Sequence, residues 1–390
     1  GSIALKMLSR SLRMDLPRGQ SAFLWGPRKT GKSTFLRQRF PDSLVYDFLD
    51  TDLALEFTKR PALLRERLLA KDAAALGHPV VLDEVQKVPA LMDEVHWLME
   101  NRRIDFILCG SSARKMKRGH ANLLGGRAWR YEMFPLVSPE LGEVDLMRVL
   151  NRGTIPSHFF SGDPRRSLDA YVRDYLKEEV FAEGLTRNVP AFARFFDAMG
   201  YSHGELTNFA NIARECGVDA KTVKEYYQIL VDTLLGRRVE PFSRHTGRDV
   251  ITRASKFYLF DVGVAGAIVK RSLVEGRGDA FGRALEHFIF TELVAHASYS
   301  GLGYDIRFWR TRHGVEVDFI LGDGQVAVEV KGASRVENRD CRSLHAFASE
   351  NKPKACLLVC GEREERIVGA VRILPWAEFL RRLWAGQVIA

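Results

Sequence analysis

The sequence predicts an α/β fold whose first part is a parallel sheet, and three observations indicate it. Apolar runs such as residues 104–110 end in polar side chains, which is typical of buried parallel strands. Segments with helical spacing of apolar residues follow these runs. The length of 390 residues is too great for one small core, so the sequence predicts several globular domains.

The composition excludes several classes of protein. The hydrophobic fraction is 46%, and the apolar runs fall short of the ~18 residues that a membrane span needs. The five cysteines form no C-x-x-C pair, so neither a disulfide framework nor a zinc site is predicted. We therefore expect a cytoplasmic protein without membrane contact. The net charge of +9 favours a polyanionic partner, although basic residues also serve as ordinary solvated surface.

The first element is a strand over residues 21–25, followed by a sequence that fits G-x-x-x-x-G-K-[ST] in full. The glycines let backbone N–H groups surround a phosphate, Lys32 neutralises phosphate charge, and the Ser33 hydroxyl joins the Mg²⁺ shell. The order strand, phosphate loop, helix is the context that this motif requires. We predict ATP binding at Gly26, Pro27, Arg28, Lys29, Thr30, Gly31, Lys32, Ser33 and Thr34.

A second strand is predicted over residues 79–82, and it ends in Asp83 and Glu84. Carboxylates at the C-terminal ends of parallel strands face the crevice where nucleotides bind. Asp83 would hold Mg²⁺ together with Ser33, and Glu84 would orient and deprotonate the attacking water. The alternative is an ordinary strand followed by an acidic helix cap.

A third strand, residues 104–110, brings Ser111 and Ser112 to the same edge. Either serine is placed to touch the γ-phosphate or the attacking water, or instead to cap the next helix. Residues 123–127 then form a turn into a strand over residues 129–134. Arg127 in this turn would lie at the domain edge, where it would reach a neighbouring subunit's nucleotide.

These motifs together resemble the AAA+ ATPases, most closely a broad bacterial and archaeal family with a C-terminal domain of uncharacterised function. The matching phrases are GPRKTGKST, VVLDEVQKVP, FILCGSSARK, LLGGRAWRYEMFPL and EVDFI…VAVEVK. The resemblance implies that Ser111 or Ser112 is sensor 1 and that the protein forms a ring, such as a hexamer. It implies that Arg127 is the arginine finger acting in trans. Arg130 and Arg118 compete for that role, and the sensor 2 arginine stays open among Arg187, Arg194 and others.

Two further segments follow the predicted ATPase core, which covers residues 1–135. Amphipathic helices over residues 136–201 indicate a helical lid, part of which alternatively completes the core. Residues 202–250 have helix-turn-helix spacing with a basic stretch behind it, and they resemble a winged helix. Winged helices bind DNA and also dock proteins. The predicted DNA contacts are Lys221, Thr222, Lys224, Arg237, Arg238 and Arg244.

The last segment, residues 251–390, is predicted to be a second α/β domain. A hairpin places Asp318 before its turn and Glu329 and Lys331 after it, and Glu286 lies on an upstream helix. This arrangement resembles the PD-(D/E)xK nuclease core, in which carboxylates bind Mg²⁺ and the lysine steadies developing charge. An ordinary antiparallel strand pair explains the same alternation. His287 is predicted to be a packing or surface residue.

The sequence therefore favours an ATP-hydrolysing protein that needs Mg²⁺ and binds and remodels DNA. Branched DNA is one predicted substrate, since the domain order also resembles branch-migration motors that act in DNA repair. Two alternatives stay open: an ATP-controlled, Mg²⁺-dependent nuclease, and a nucleotide-dependent switch that docks a protein partner.

Overall fold

The structure is a computed structural model that describes residues 8–114, 116, 124–176, 188–244 and 254–390. Two units with separate cores make up the chain. One contains the chain up to Pro135 together with Asp232–Leu235, and the other contains Leu136–Val231 and Gly236–Ala390. Arg118 and Arg187, two of the predicted arginine candidates, lie outside the described residues. No helix in the described part of the chain is long and apolar enough to cross a membrane.

The N-terminal unit is built on a five-stranded parallel sheet in the order β2-β3-β4-β1-β5. Its inner strands are buried along their whole length and are mostly apolar, as is typical of strands covered on both faces. The predicted parallel sheet is thus confirmed. Its strands are β1 (Ser21–Trp25), β2 (Val45–Asp47), β3 (Val80–Asp83), β4 (Phe106–Gly110) and β5 (Ala128–Glu132).

Helices cover this sheet and complete its core. They are α1 (Lys32–Arg39), α2 (Thr51–Lys59), α3 (Ala62–Leu69) and α4 (Leu91–Arg102), with 3₁₀ turns at Val85–Lys87 and Leu124–Gly126. Fully buried side chains from strands and helices, such as Phe106, Phe57 and Leu98, form one apolar cluster. This packing fixes the C-terminal ends of β1, β3 and β4 side by side, where the predicted site residues are found.

The second unit begins with short helices. These are α5 (Ser138–Leu141), α6 (Leu146–Arg152), α7 (Pro156–Phe159), α8 (Pro164–Ala170) and α9 (Val189–Tyr201). Helix α8 ends at Ala170, and a π-helical segment, Tyr171–Leu176, continues it.

The predicted helix-turn-helix consists of α10 (Phe209–Cys216) and α11 (Ala220–Asp232). Gly217 ends α10 with a φ of 69°, in the left-handed region that glycine adopts without strain. Asp219 caps α11, because the Thr222 N–H donates to Asp219 Oδ1 at 2.7 Å. A two-stranded antiparallel sheet follows, made of β6 (Gly236–Val239) and β7 (Lys256–Leu259).

The C-terminal part has a six-stranded mixed sheet in the order β12-β13-β11-β10-β9-β8. The predicted hairpin is present, since β9 and β10 pair antiparallel, with Phe319 opposite Val328. The elements are α12 (Val262–Ile268), α13 (Asp279–Tyr299), β8 (Ile306–Arg310), β9 (Glu316–Leu321), β10 (Val326–Val330), α14 (Arg342–Asn351), β11 (Ala355–Cys360), β12 (Arg366–Val368), β13 (Val371–Pro375) and α15 (Trp376–Trp384), with a 3₁₀ turn at Asn338–Cys341.

Candidate functional site

The phosphate loop connects β1 to α1 and is shaped for an anion. Lys29 and Gly31 adopt φ values of 65° and 95°, which turn successive backbone N–H groups into the loop. Gly26 has to be glycine, because a Cβ there would lie 2.5 Å from the Met133 carbonyl oxygen. Arg10 stabilises the loop from outside through a hydrogen bond of 2.6 Å to the Thr30 carbonyl oxygen.

Lys32 is buried inside this loop and bonded to neutral oxygen atoms. Its Nζ donates to the carbonyl oxygens of Gly26, at 2.6 Å, and Pro27, at 2.9 Å. Burial lowers the pKa of the Lys32 ammonium, and the nearby Asp83 and Glu84 only partly oppose the shift. A phosphate in the loop would replace these weak acceptors with full negative charge, so the site fits a nucleotide.

The first turn of α1 and the end of β3 provide hard oxygen atoms suited to Mg²⁺. The Ser33 hydroxyl donates to Asp83 Oδ2 at 2.5 Å, and Asp83 is only 3% exposed. Hydroxyl and carboxylate oxygens are ligands that Mg²⁺ prefers. The structure thus brings together the two predicted metal ligands, and the pair fits the ion.

Glu84 and the two serines meet on the same side, and a glutamine joins them. The Gln86 side-chain amide donates to the Glu84 carboxylate and, at 3.3 Å, to Ser111 Oγ. Ser112 is also buried, at 3% exposed. Gly110 leaves room for this glutamine, because a Cβ there would lie 2.1 Å from Gln86 Oε1. That Oε1 atom is buried and accepts no hydrogen bond from any described residue.

Arg127 lies at the N-terminal ends of the strands, whereas the phosphate loop lies at their C-terminal ends. It precedes Ala128, which pairs with Ser21 at the start of β1, whereas the loop follows Trp25 at the end of β1. Its exposed guanidinium lies 2.9 Å from Glu100 Oε1 and 2.6 Å from His96 Nε2. The competitor Arg130 instead lies over the Phe23 ring, 6.0 Å from its centroid.

The predicted DNA contacts differ in what surrounds them. Lys221 and Lys224 are exposed on α11, Thr222 is half-buried, and Arg237 and Arg238 are half-buried on β6. The Arg244 guanidinium donates to the backbone oxygens of Asp323 and Asn351, and its contact with DNA stays a prediction. Arg194, a candidate for sensor 2, donates to the Cys216 carbonyl oxygen at 2.9 Å and so caps the end of α10.

The C-terminal acids that the sequence singled out lie together. The Asp318 N–H donates to Glu329 Oε2 at 3.2 Å, and Lys331 Nζ lies 3.0 Å from Glu329 Oε1. Glu286 accepts a hydrogen bond from Tyr258, and burial followed by the charge of Asp318 raises the pKa of Glu286 to about 8. His287 is confirmed as a packing residue, fully enclosed with its Nε2 2.6 Å from the Leu259 carbonyl oxygen.

A lysine that the sequence did not single out lies among these acids. Lys256 is 3% exposed and donates to the Glu316 carboxylate. Burial alone would lower the pKa of Lys256. The negative charges of Asp318, Glu316 and Glu286 outweigh that effect, so the pKa is raised overall. Within the described ranges, no three His, Cys, Asp or Glu side chains are arranged to hold a metal ion. With the Lys256 ammonium already among these carboxylates, the donor set around Asp318 and Glu329 does not fit a divalent metal.

Comparison with known proteins agrees with the geometry of the N-terminal unit. Residues 18–142 match the family model of an AAA domain. The chain carries an AAA domain. This match, with the phosphate loop and its carboxylates, indicates nucleotide-dependent activity and, at the level of the family, an ATPase.

Residues outside the AAA domain match two families without a known role. Residues 143–274 match a domain of unknown function (DUF8612), and residues 281–379 match another (DUF4143). Two relatives are the uncharacterized proteins Mb2031c of Mycobacterium bovis and Rv2008c of Mycobacterium tuberculosis. Each is 25% identical over 317 residues, which cover 80% of this chain and 69% of the relative.

Sequence reasoning missed three side chains that complete these sites. Gln86 had a signal, since it lies two residues after Glu84, the predicted catalytic base, in the stretch VVLDEVQKVP, which resembles the family. Arg10 and Lys256 had none, because each is brought to its site only by the fold, Arg10 from 20 residues before Thr30 and Lys256 from 60 residues before Glu316.

Proposed function

We propose that this protein hydrolyses ATP in its AAA domain and uses the cycle to bind and remodel DNA. The observation that supports hydrolysis most directly is the set of contacts at the strand ends. Ser33 and Asp83 share one hydrogen bond, and Gln86 joins Glu84 to Ser111 beside them. A site that only bound nucleotide would not need a buried carboxylate aligned in this way.

Each side chain has one task in the proposed reaction. Lys32 exchanges its two carbonyl acceptors for phosphate oxygens, and Ser33 and Asp83 hold Mg²⁺, which polarises the terminal phosphoryl group when bound. Glu84 takes a proton from the attacking water, and Ser111 orients that water or the phosphate. Gln86 fixes where the Glu84 carboxylate points, so it is a positioning residue.

We expect Gln86→Leu to lower kcat for ATP roughly 10- to 100-fold while the affinity for nucleotide stays unchanged. The leucine has a similar volume but does not donate to Glu84, so the base loses its orientation and Lys32 keeps its contacts. Steady-state ATPase kinetics with a fluorescent-nucleotide binding curve measure both quantities. Gln387→Leu, at an exposed glutamine of the other unit, is the matched control. Equal losses of kcat and of binding would contradict a positioning role.

The proposal for DNA depends on the helix-turn-helix. Lys221 and Lys224 extend from the N-terminal turns of α11, the end of a recognition helix that contacts a major groove. Arg237 and Arg238 lie on the strand that follows, where a wing would contact phosphates. This pattern, rather than the overall charge, favours DNA over a protein partner.

A binding experiment separates these two partners. Labelled linear duplex, single-stranded and four-way DNA are titrated with the protein at several salt concentrations, and the ATPase rate is measured with each. We expect K221A/K224A and R237A/R238A to weaken binding and to lower the slope of log K against log salt by about 1 for each phosphate that the variant no longer neutralises.

The control pair is R342A/K354A, which removes two exposed basic residues of the same unit away from the helix-turn-helix. Stimulation of the ATPase rate by one DNA form would identify the substrate. Binding that is weak, insensitive to salt and equal in all three variants would reject the DNA role and leave the protein-docking switch. The nuclease alternative remains a prediction from the sequence, and the Lys256 ammonium lies among the acids that such a nuclease would use to bind a metal.

A further inference from the structure

We propose that the Lys256 ammonium is the resident cation of the C-terminal acidic site and takes the place that a divalent metal would need. The acidic site is defined by Glu286, Glu316, Asp318 and Glu329. Lys256 reaches it from β7, donates to the Glu316 carboxylate, and is attracted by Asp318 and Glu286 as well. A single buried ammonium thus balances carboxylates from two elements, α13 and β9.

Every carboxylate of the acidic site already has a donor. Glu286 accepts from the Tyr258 hydroxyl, and Glu316 lies 2.9 Å from the Arg310 guanidinium. Asp318 Oδ2 accepts from the Val330 N–H at 2.8 Å. Lys331 pairs with Glu329 at 3.0 Å. These donors leave further lone pairs on the carboxylates, so the charge that a metal would have to displace is the Lys256 ammonium.

The backbone and a ring hold Lys256 in this position. Its strand is fixed by pairing with Val239 on β6 and by a bridge to Leu206. Its ammonium also lies over the Phe308 ring, 5.0 Å from the centroid. If the side chain swung out, it would leave buried carboxylates without a counter-charge, which is costly. A metal therefore competes with a built-in cation that cannot diffuse away.

The acidic site is accessible to ions from solution, so our proposal does not depend on the site being closed. A cleft of about 470 Å³ reaches Lys256, Glu286 and Glu316, and its rim carries Arg283 and Arg310. An ion in solution can thus approach the acidic site through a cleft that both basic and acidic side chains line, Glu205 among the acids. All of these residues belong to the second unit, so the role of Lys256 does not depend on whether the AAA domain hydrolyses ATP.

The test is a titration with Mn²⁺ followed by electron paramagnetic resonance, without nucleotide, on the full chain carrying Asp83→Asn. That change removes the carboxylate ligand predicted for the phosphate loop. With Lys256 present, we expect no bound Mn²⁺ in the submillimolar range. Adding Lys256→Met should create one site with affinity at least about tenfold higher, and further adding Asp318→Asn should abolish it.

Two results would overturn the proposal. One is a tight Mn²⁺ site in the parent protein that disappears with Asp318→Asn. The other is a folded Lys256→Met variant that gains no site. If Lys256→Met does not fold, Lys256→Arg provides the second measurement. It keeps the charge, so we expect a folded protein whose thermal unfolding is not shifted by Mn²⁺, and a stabilising shift would reject the proposal.

Discussion

Lys32→Ala should reduce the rate of ATP hydrolysis by roughly 10²–10³-fold, the effect of removing one preorganised charge from a reacting centre. The ammonium is enclosed by the phosphate loop and bonded to the Gly26 and Pro27 carbonyl oxygens. Once a nucleotide is bound, the positive charge of Lys32 stabilises the negative charge that builds up on the phosphoryl group being transferred. Alanine leaves the loop in place but removes that charge.

The expected loss appears in both binding and turnover, because Lys32 contacts phosphate before and during reaction. Phosphate release assays and a fluorescent-nucleotide titration measure the two effects. Lys71→Ala, at an exposed lysine of the same unit, should leave both unchanged. A Lys32→Ala protein that hydrolyses ATP at the parental rate would reject the assignment of this loop as the catalytic site.

Much of the AAA domain was predictable from sequence because its chemistry is local. The residues from Gly26 to Ser33 are contiguous, and Asp83 and Glu84 directly end a strand, so the rule that parallel strand ends share one edge places them together. The contact between Ser33 and Asp83 is what that rule predicts. Gln86 was not predicted, because its role depends on Gly110, 24 positions later, leaving space for the amide.

The C-terminal region shows where such reasoning stops. The hairpin of β9 and β10 was predictable from alternation, and it does place Asp318 beside Glu329. The alternation of polar and apolar residues in β9 and β10 carries no information on which other strands pack nearby. The approach of Lys256, on β7 of a separate sheet, therefore could not be predicted. The contacts of the Arg244 guanidinium with the carbonyl oxygens of Asp323 and Asn351 were equally unpredictable, because these residues lie 79 and 107 positions away in the sequence.

Arg127→Ala should also stop turnover, with a loss of roughly 10³-fold, but through a neighbouring subunit. β1 and β5 run parallel, with Arg127 before the start of β5 and the phosphate loop after the end of β1. Five residues at about 3.3 Å each separate the two by roughly 17 Å. Arg127 therefore cannot reach its own γ-phosphate, and a catalytic role requires a second copy of the chain.

Mixing two inactive variants tests this directly. Glu84→Gln removes the base and keeps Arg127, whereas Arg127→Ala keeps the base. In an equal mixture about a quarter of head-to-tail interfaces combine an intact Glu84 with an intact Arg127, so activity should return. Arg130→Ala is the matched control, and we expect it to stay active because that side chain packs over Phe23. If the two variants co-assemble in size-exclusion chromatography and the mixture is still inactive, Arg127 does not act across subunits. If the Arg127→Ala protein is fully active, the pairing of Arg127 with Glu100 in the parent protein contributes to stability alone.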